Sequence, residues 1–118
     1  MMMRSEIYDR FDVVVVPFPF TDRQSEKRRP ALVLSDETEM QTKIGHSVLA
    51  MITSQETPPW PLDVEISDLK AAGLSANSKV RFKIFTLDNR FILKRLGTLS
   101  SADQKSVSRG LKKVLKVT

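Results

Sequence analysis

Only one stretch of this chain carries helical periodicity, and it comes last. Val107, Leu111, Val114 and Leu115 fall at i, i+4, i+7 and i+8, on one face of a helix. Ser101-Ala-Asp-Gln104 ahead of them has the pattern of a capping box. Everything upstream is broken into apolar runs of strand length, separated by prolines or polar clusters. Short strands with no long helices between them argue against an α/β sheet and predict a mainly β protein, a small antiparallel barrel closed by a C-terminal helix. Gly110 interrupts that helix at a cost of about 1 kcal/mol relative to alanine. A close approach of the helix to the barrel or to a partner would explain it.

The strands are set out by β-branched runs and by what stops them. Asp12-Val-Val-Val-Val-Pro-Phe18 is too short for a helix and reads as a first strand, buried on both faces at its centre, with Pro17 and Pro19 limiting its pairing. Residues 20–29 form a polar loop ending in Lys27, Arg28 and Arg29, followed by the strand-like Pro30-Ala-Leu-Val-Leu-Ser35. His46 to Thr53 suits an interior strand, and the three prolines of Glu56-Thr-Pro-Pro-Trp-Pro61 make a stiff loop after it. Leu62 to Ile66 alternates with period two, which puts Asp63 and Glu65 on a solvated face. Asp68 to Gly73 is a turn or two of helix, capped by Asp68 and stopped by Gly73. Ser78 to Leu87 alternates as well: Lys79, Arg81, Lys83 and Phe85 point one way, and Val80, Phe82, Ile84 and Thr86 the other. Asp88-Asn89 is a good turn pair, so Phe91 to Gly97 is expected to return as its hairpin partner.

Counting removes much chemistry. With 118 residues, 41% of them hydrophobic and 28% charged, residues 1–118 make one folded domain. There is no cysteine and only one histidine, His46, so thiol nucleophiles, thiolate metal sites and paired-histidine mechanisms are excluded, and neither metal nor cofactor is expected. The longest apolar run, Val13 to Phe18, is far short of the roughly 20 residues that span a bilayer. Met1 to Glu6 lacks the pattern of a secretory signal, so a cytoplasmic location without membrane association is expected.

Charge is unevenly placed. Residues 1–76 hold 8 basic and 12 acidic groups, whereas residues 77–118 hold 11 and 2. Such a basic block draws in polyanions, whether nucleic acid, an acidic protein or an anionic surface. Lys27-Arg28-Arg29-Pro30 lies where a loop enters a strand, so Arg29 is backed by sheet. A fixed guanidinium offers a phosphate a planar fork of donors that does not titrate near neutrality. The alternative is a set of solvated loop charges, with Arg29 paired to Asp12 or Asp22. Thr53-Ser54-Gln55 ends an apolar strand with groups able to bond phosphate oxygens or a base edge, or simply to make a turn. His46 begins the same strand, on the order of 25 Å from Thr53, and is not a candidate catalyst. Trp60 either stacks on an unpaired base or covers the barrel's end.

Asp12-Val-Val-Val-Val-Pro-Phe-Pro-Phe20, Arg28-Arg29-Pro30-Ala-Leu-Val-Leu-Ser35, Ala50-Met-Ile-Thr-Ser-Gln55, Leu62-Asp-Val-Glu-Ile66, Ala72-Gly-Leu74 and Phe85-Thr-Leu-Asp88, in that order and spacing, resemble the MazF/PemK family of bacterial type II toxins over about residues 10–117. The resemblance implies an SH3-like or CcdB/MazF-like barrel that forms a homodimer. It implies a metal-independent endoribonuclease that cuts single-stranded RNA at short sequences, leaving a 2′,3′-cyclic phosphate and a 5′-OH. An antitoxin with an acidic, disordered tail is the implied partner. The family's catalytic arginine and threonine fall on Arg29 and Thr53, and Ser54 and Gln55 match polar positions that touch substrate. Lys27 and Arg28, with Arg81 and Lys83 on the strand that helps form the family's RNA surface, are the remaining RNA-binding candidates. This chain departs from many members in having Phe11 where they have glycine before the aspartate, and Val80-Arg81-Phe82-Lys83 where they carry an acidic residue or glutamine. Two other readings stay open: a CcdB-like toxin that binds gyrase, and a small barrel that binds nucleic acid without cutting it.

Overall fold

The computed structural model describes residues 7–18, 27–38 and 42–116. The expected polar loop therefore lies outside the described residues from 20 to 26, as does Pro19. Six strands are described: β1 (Asp12–Phe18), β2 (Lys27–Val33), β3 (His46–Ser54), β4 (Val64–Glu65), β5 (Ser78–Asp88) and β6 (Lys94–Thr98). With them come α1 (Thr42–Ile44), α2 (Leu69–Ala72) and α3 (Ser101–Leu115). The strands form one antiparallel sheet in the order β4-β5-β3-β2-β1-β6. This is the mainly β architecture with a C-terminal helix that the sequence predicts.

The expected hairpin between the last two strands is not formed. β6 pairs with β1, with Asp12 opposite Thr98, while β5 lies between β3 and β4. Asp88 does open a turn, but it does so by capping a 3-10 helix, Asn89–Phe91, through a bond from the Arg90 N–H at 2.9 Å. The chain then crosses to β1, where the Leu93 N–H meets the Val15 carbonyl at 2.8 Å. In a flat sheet β5 and β6 would stand four strand spacings apart, about 19 Å. Much of the link is a 3-10 turn rising only about 2 Å per residue, so the sheet must curl to close the distance, giving a half-barrel.

Curling buries both faces. Val13 of β1, Leu32 of β2, Ala50 and Ile52 of β3, and Val80 and Phe82 of β5 face α3, whose Val107 is fully buried among them. Val14, Val16, Ala31, Val33, Leu49 and Leu87 face the other way and are covered by Tyr8 and Ile92. Gly110 is explained by the first cluster, since a Cβ there would lie 2.8 Å from Phe82 Cε2.

Three local details refine the expected caps and turns. α3 is capped one residue earlier than its sequence pattern suggests, by Ser100, whose side chain accepts from the Asp103 N–H. The carboxylate of Asp103 instead reaches across to Ser67 and Asp68, accepting their N–H groups at 3.0–3.1 Å and the Ser67 hydroxyl at 2.7 Å. α2 is capped by Asp68 and ended by Gly73 at φ 75°, as expected. Phe11 has φ 76°, the left-handed backbone that glycine adopts without strain. Its N–H and carbonyl are nonetheless held by Val33 and Leu99, so the sheet fixes this conformation despite the ring.

Candidate active site

Alternation along β1, β2 and β3 assigns a distinct set of side chains to the sheet face opposite α3. Phe18, Arg29 and Thr53 share the parity of Val16, Ala31 and Met51, and so belong to that face. The β2–β3 register runs Val33 to Leu49, Leu32 to Ala50 and Ala31 to Met51, and continued by two residues it sets Arg29 opposite Thr53. Pro30 has no N–H to offer and marks where this pairing stops. β5 carries a bulge against β3, passing from Ile84 opposite Ala50 to Arg81 opposite Met51. Phe82 and Lys83 are the two extra residues, so parity is kept, and Lys79, Arg81 and Lys83 share the face of Thr53.

These elements enclose a cleft of about 160 Å³ lined by Phe18, Arg29, Met51, Ile52, Thr53, Arg81 and Lys83. Arg29 is exposed, with its guanidinium carbon 5.8 Å from the centre of the Phe18 ring. No described carboxylate pairs with it. Asp12 is engaged by Arg95 at 3.3 Å and by Thr98 at 2.9 Å, and Asp22 lies outside the described residues. Thr53 is half-buried, and its Oγ1 is 3.0 Å from Thr57 Oγ1. Lys27 and Arg28 are exposed at the start of β2, opposite Phe18 and Pro17. Ser54 and Gln55 enter a turn in which the Thr57 N–H bonds the Ser54 carbonyl at 3.0 Å. The side-chain oxygen of Gln55 is buried without a hydrogen-bond partner.

The cations of β5 do not stand alike. Lys83 is exposed, 4.8 Å from the Trp60 ring centre. Lys79 and Arg81 are buried and tied to the proline-rich loop. Arg81 bonds both oxygens of Asp63, at 3.2 and 3.0 Å, and the Pro58 carbonyl at 2.6 Å. Lys79 bonds the Thr57 carbonyl at 2.7 Å and stands 3.3 Å from Asp63. Burial pushes the Asp63 carboxyl up, but hydrogen bonds from Arg81, the Trp60 N–H and Lys79 more than reverse this and hold it below its ordinary range.

Asp63 is thus no solvated strand residue: it is the counter-ion of the cationic face. The signal was present in the sequence, since two alternating segments with acids on one and bases on the other pair favourably when adjacent. The β4–β5 register of Val64 to Val80 indeed puts Asp63 opposite Arg81 when continued by one residue. Trp60, 41% exposed, lies over Arg81 and Lys83 rather than closing the barrel's end. His46 sits at the far end of β3, its Nδ1 2.8 Å from the Ile44 carbonyl, away from the cleft. A larger cavity, about 260 Å³, lies beside α3 and is lined by Arg10, Phe11, Leu34, Leu111 and Leu115 among others, none of them a site candidate from the sequence. Among the described residues no group of three His, Asp or Glu side chains converges on a metal position. No described helix is long and apolar enough to cross a membrane.

A curled antiparallel sheet with one C-terminal helix and a cationic cleft on its helix-free face defines a small half-barrel suited to an anionic ligand. The chain belongs to the PemK-like, MazF-like toxins of type II toxin–antitoxin systems, whose family model matches residues 9–115. Its fold is similar to that of a MazE–MazF complex from Deinococcus radiodurans, with TM-score 0.76 and 21% identity over 96% of this chain and 100% of that one. It is also similar to a mycobacterial endoribonuclease in complex with its cognate antitoxin, with TM-score 0.70 and 18% identity over 98% of each chain. The Mycobacterium tuberculosis toxin MazF-mt6 gives TM-score 0.71 and 16% identity, over 91% of this chain and 98% of that one. A search of curated protein sequences gave no match.

Proposed function

We propose that this protein is a metal-independent endoribonuclease that cleaves single-stranded RNA at short sequences, acting in the cytoplasm as the toxin of a toxin–antitoxin pair. The observation that carries this reading is the meeting of Arg29 and Thr53, from different strands, on one cleft whose Arg29 has no described counter-ion. The 2′-OH of a ribose attacks the adjacent phosphorus, the bond to the 5′ oxygen breaks, and the products are a 2′,3′-cyclic phosphate and a 5′-OH. Negative charge builds on the phosphoryl oxygens in the five-coordinate transition state. A preplaced guanidinium and a hydroxyl donor stabilise that charge without metal. Arg29 holds the charge, and its high pKa makes it a poor proton donor. Thr53 bonds a nonbridging oxygen.

The neighbouring residues divide the binding work. Lys27, Arg28 and Lys83 are exposed cations suited to backbone phosphates, and Ser54 and Gln55, directly after Thr53 at the end of β3, are the groups suited to a base edge. Arg81 has Nε and Nη2 committed to Asp63 and Pro58, so it serves the cleft by anchoring the proline-rich loop rather than by gripping phosphate. A homodimer joins two such faces into one basic groove, and an antitoxin blocks it with an acidic, disordered tail.

Incubating the purified protein with a long RNA in EDTA, and mapping fragment ends by primer extension, tests this. Cleavage at a recurring short sequence with cyclic-phosphate ends is expected, and Arg29→Ala and Thr53→Ala should each lower the rate by about 10²–10³-fold. Folded wild-type protein that leaves a diverse RNA pool intact would overturn the nuclease reading and direct attention to gyrase.

A further inference from the structure

We infer that Thr57 is a positioning residue for Thr53, its hydroxyl holding the Thr53 hydroxyl in the orientation that meets the reacting phosphate. The inference rests on the nuclease reading above and adds a residue to it. Thr53 Oγ1 and Thr57 Oγ1 are 3.0 Å apart. A hydroxyl carries one proton and two acceptor sites. The bond holds Thr53 in the χ1 rotamer whose oxygen faces Thr57, and when Thr57 donates, the Thr53 proton is turned away from Thr57 and is left for a phosphate oxygen. Hydrogen bonds in series polarise one another, so the second hydroxyl also strengthens the first as a donor.

Thr57 is held by bonds that do not use its side chain. Its N–H bonds the Ser54 carbonyl at 3.0 Å, closing a four-residue turn directly after β3. Its carbonyl accepts from Lys79 Nζ at 2.7 Å, and the next carbonyl, that of Pro58, accepts from Arg81 at 2.6 Å. Lys79 and Arg81 are themselves fixed by Asp63. The backbone of Thr57 is thereby anchored to β5, the strand that pairs with β3 and sets Lys79 opposite Thr53. Of the polar groups of Thr57, only the hydroxyl is left over from this anchoring, and it is the group that meets Thr53.

The test compares Thr57→Val, which keeps shape and backbone bonds but loses the hydroxyl, with Thr57→Ser, which keeps the hydroxyl. The substrate is an RNA oligonucleotide carrying the cleavage site mapped for the wild type. Thr57→Val is expected to lower kcat by about 3- to 10-fold, the range of one neutral hydrogen bond, with KM changed less than about twofold. Thr57→Ser should restore kcat. A Thr57→Val enzyme with wild-type kcat, or a serine variant as slow as the valine one, would overturn the inference.

A second readout does not depend on cleavage. Three-bond NMR couplings of the Thr53 methyl to its backbone nitrogen and carbonyl should report one χ1 rotamer in the wild type and in Thr57→Ser, and averaging in Thr57→Val. A single unchanged rotamer in Thr57→Val refutes the positioning role even if the protein cuts no RNA. Absence of cleavage in the wild type refutes the nuclease reading instead.

Discussion

The guanidinium of Arg81 meets the carboxylate of Asp63 through two parallel bonds, Nε to Oδ1 at 3.2 Å and Nη2 to Oδ2 at 3.0 Å. The same carboxylate takes the Trp60 N–H at 3.0 Å and stands 3.3 Å from Lys79. None of the three charged side chains is more than 13% exposed, so loss of the anion strands two cations in a poorly solvated place. Asp63→Asn is therefore expected to lower the unfolding free energy by about 3 kcal/mol, read from urea titrations. A change below about 0.5 kcal/mol would show that the pair is not the loop's anchor.

Acid should act through the same carboxylate and through Asp103. Burial raises the Asp103 carboxyl, but the Asp68 N–H, the hydroxyl and N–H of Ser67 and the Ser100 hydroxyl outweigh it, so its pKa, like that of Asp63, lies below the ordinary 3.8. With a folded pKa below the unfolded one, the unfolded chain binds more protons between the two values. The contribution is complete above the unfolded pKa of about 3.9 and is lost as pH falls through the folded value. The urea midpoint should stay level above about pH 5 and fall below about pH 4. Asp103→Asn should give a lower plateau and a shallower acid slope. Equal slopes in the two proteins would count against the assignment.

Lys83 and Arg81 share a face, yet their substitutions should separate. Lys83→Ala removes an exposed cation and is expected to reduce the salt dependence of RNA binding by about one counterion, with stability kept within about 0.5 kcal/mol. Arg81→Ala leaves Asp63 with one cation fewer and should destabilise by about 3 kcal/mol. Fluorescence anisotropy over a salt series, paired with urea melts, reads both quantities. A stable Arg81→Ala protein with a reduced salt slope would reverse the division of roles.

Gly110→Ala goes against the usual rule for helix interiors. Alanine gains about 1 kcal/mol in propensity, but its Cβ would press on the buried Phe82 ring at 2.8 Å, and overfilling such a site costs about 1–3 kcal/mol. The net expectation is a loss of about 1 kcal/mol, measured by thermal or urea unfolding. A more stable alanine variant would mean that Phe82 yields easily.

What the chain revealed before folding was whatever depends on near neighbours. Alternation identified β5 and its two faces, and Asp68 and Gly73 bracketed α2 because cap and stop lie within one turn of each other. Arg29 and Thr53 were legible as candidates through the motifs around them, and their common cleft through the resemblance those motifs carry. The partner of β6 was not legible, because it depends on how far the whole sheet curls. Asp63 was half legible: the opposite charges of the two alternating segments stand in the sequence, but they become neighbours only when β4 docks beside β5. Thr57 was hidden for a third reason: its hydroxyl has a purpose only once the turn brings it back to Thr53.

The closure of β6 on β1 also orders events during synthesis. Thr98 bonds Asp12 across 86 residues of chain, so one edge of β1 stays an open row of donors and acceptors until Lys94–Thr98 has left the ribosome. A nascent fragment ending before β5 already holds Arg29 and Thr53 but has no Lys79, Arg81 or Lys83 beside them. The cleft's cationic wall is therefore the last part of it to be made, after Phe18, Arg29 and Thr53 have already left the ribosome.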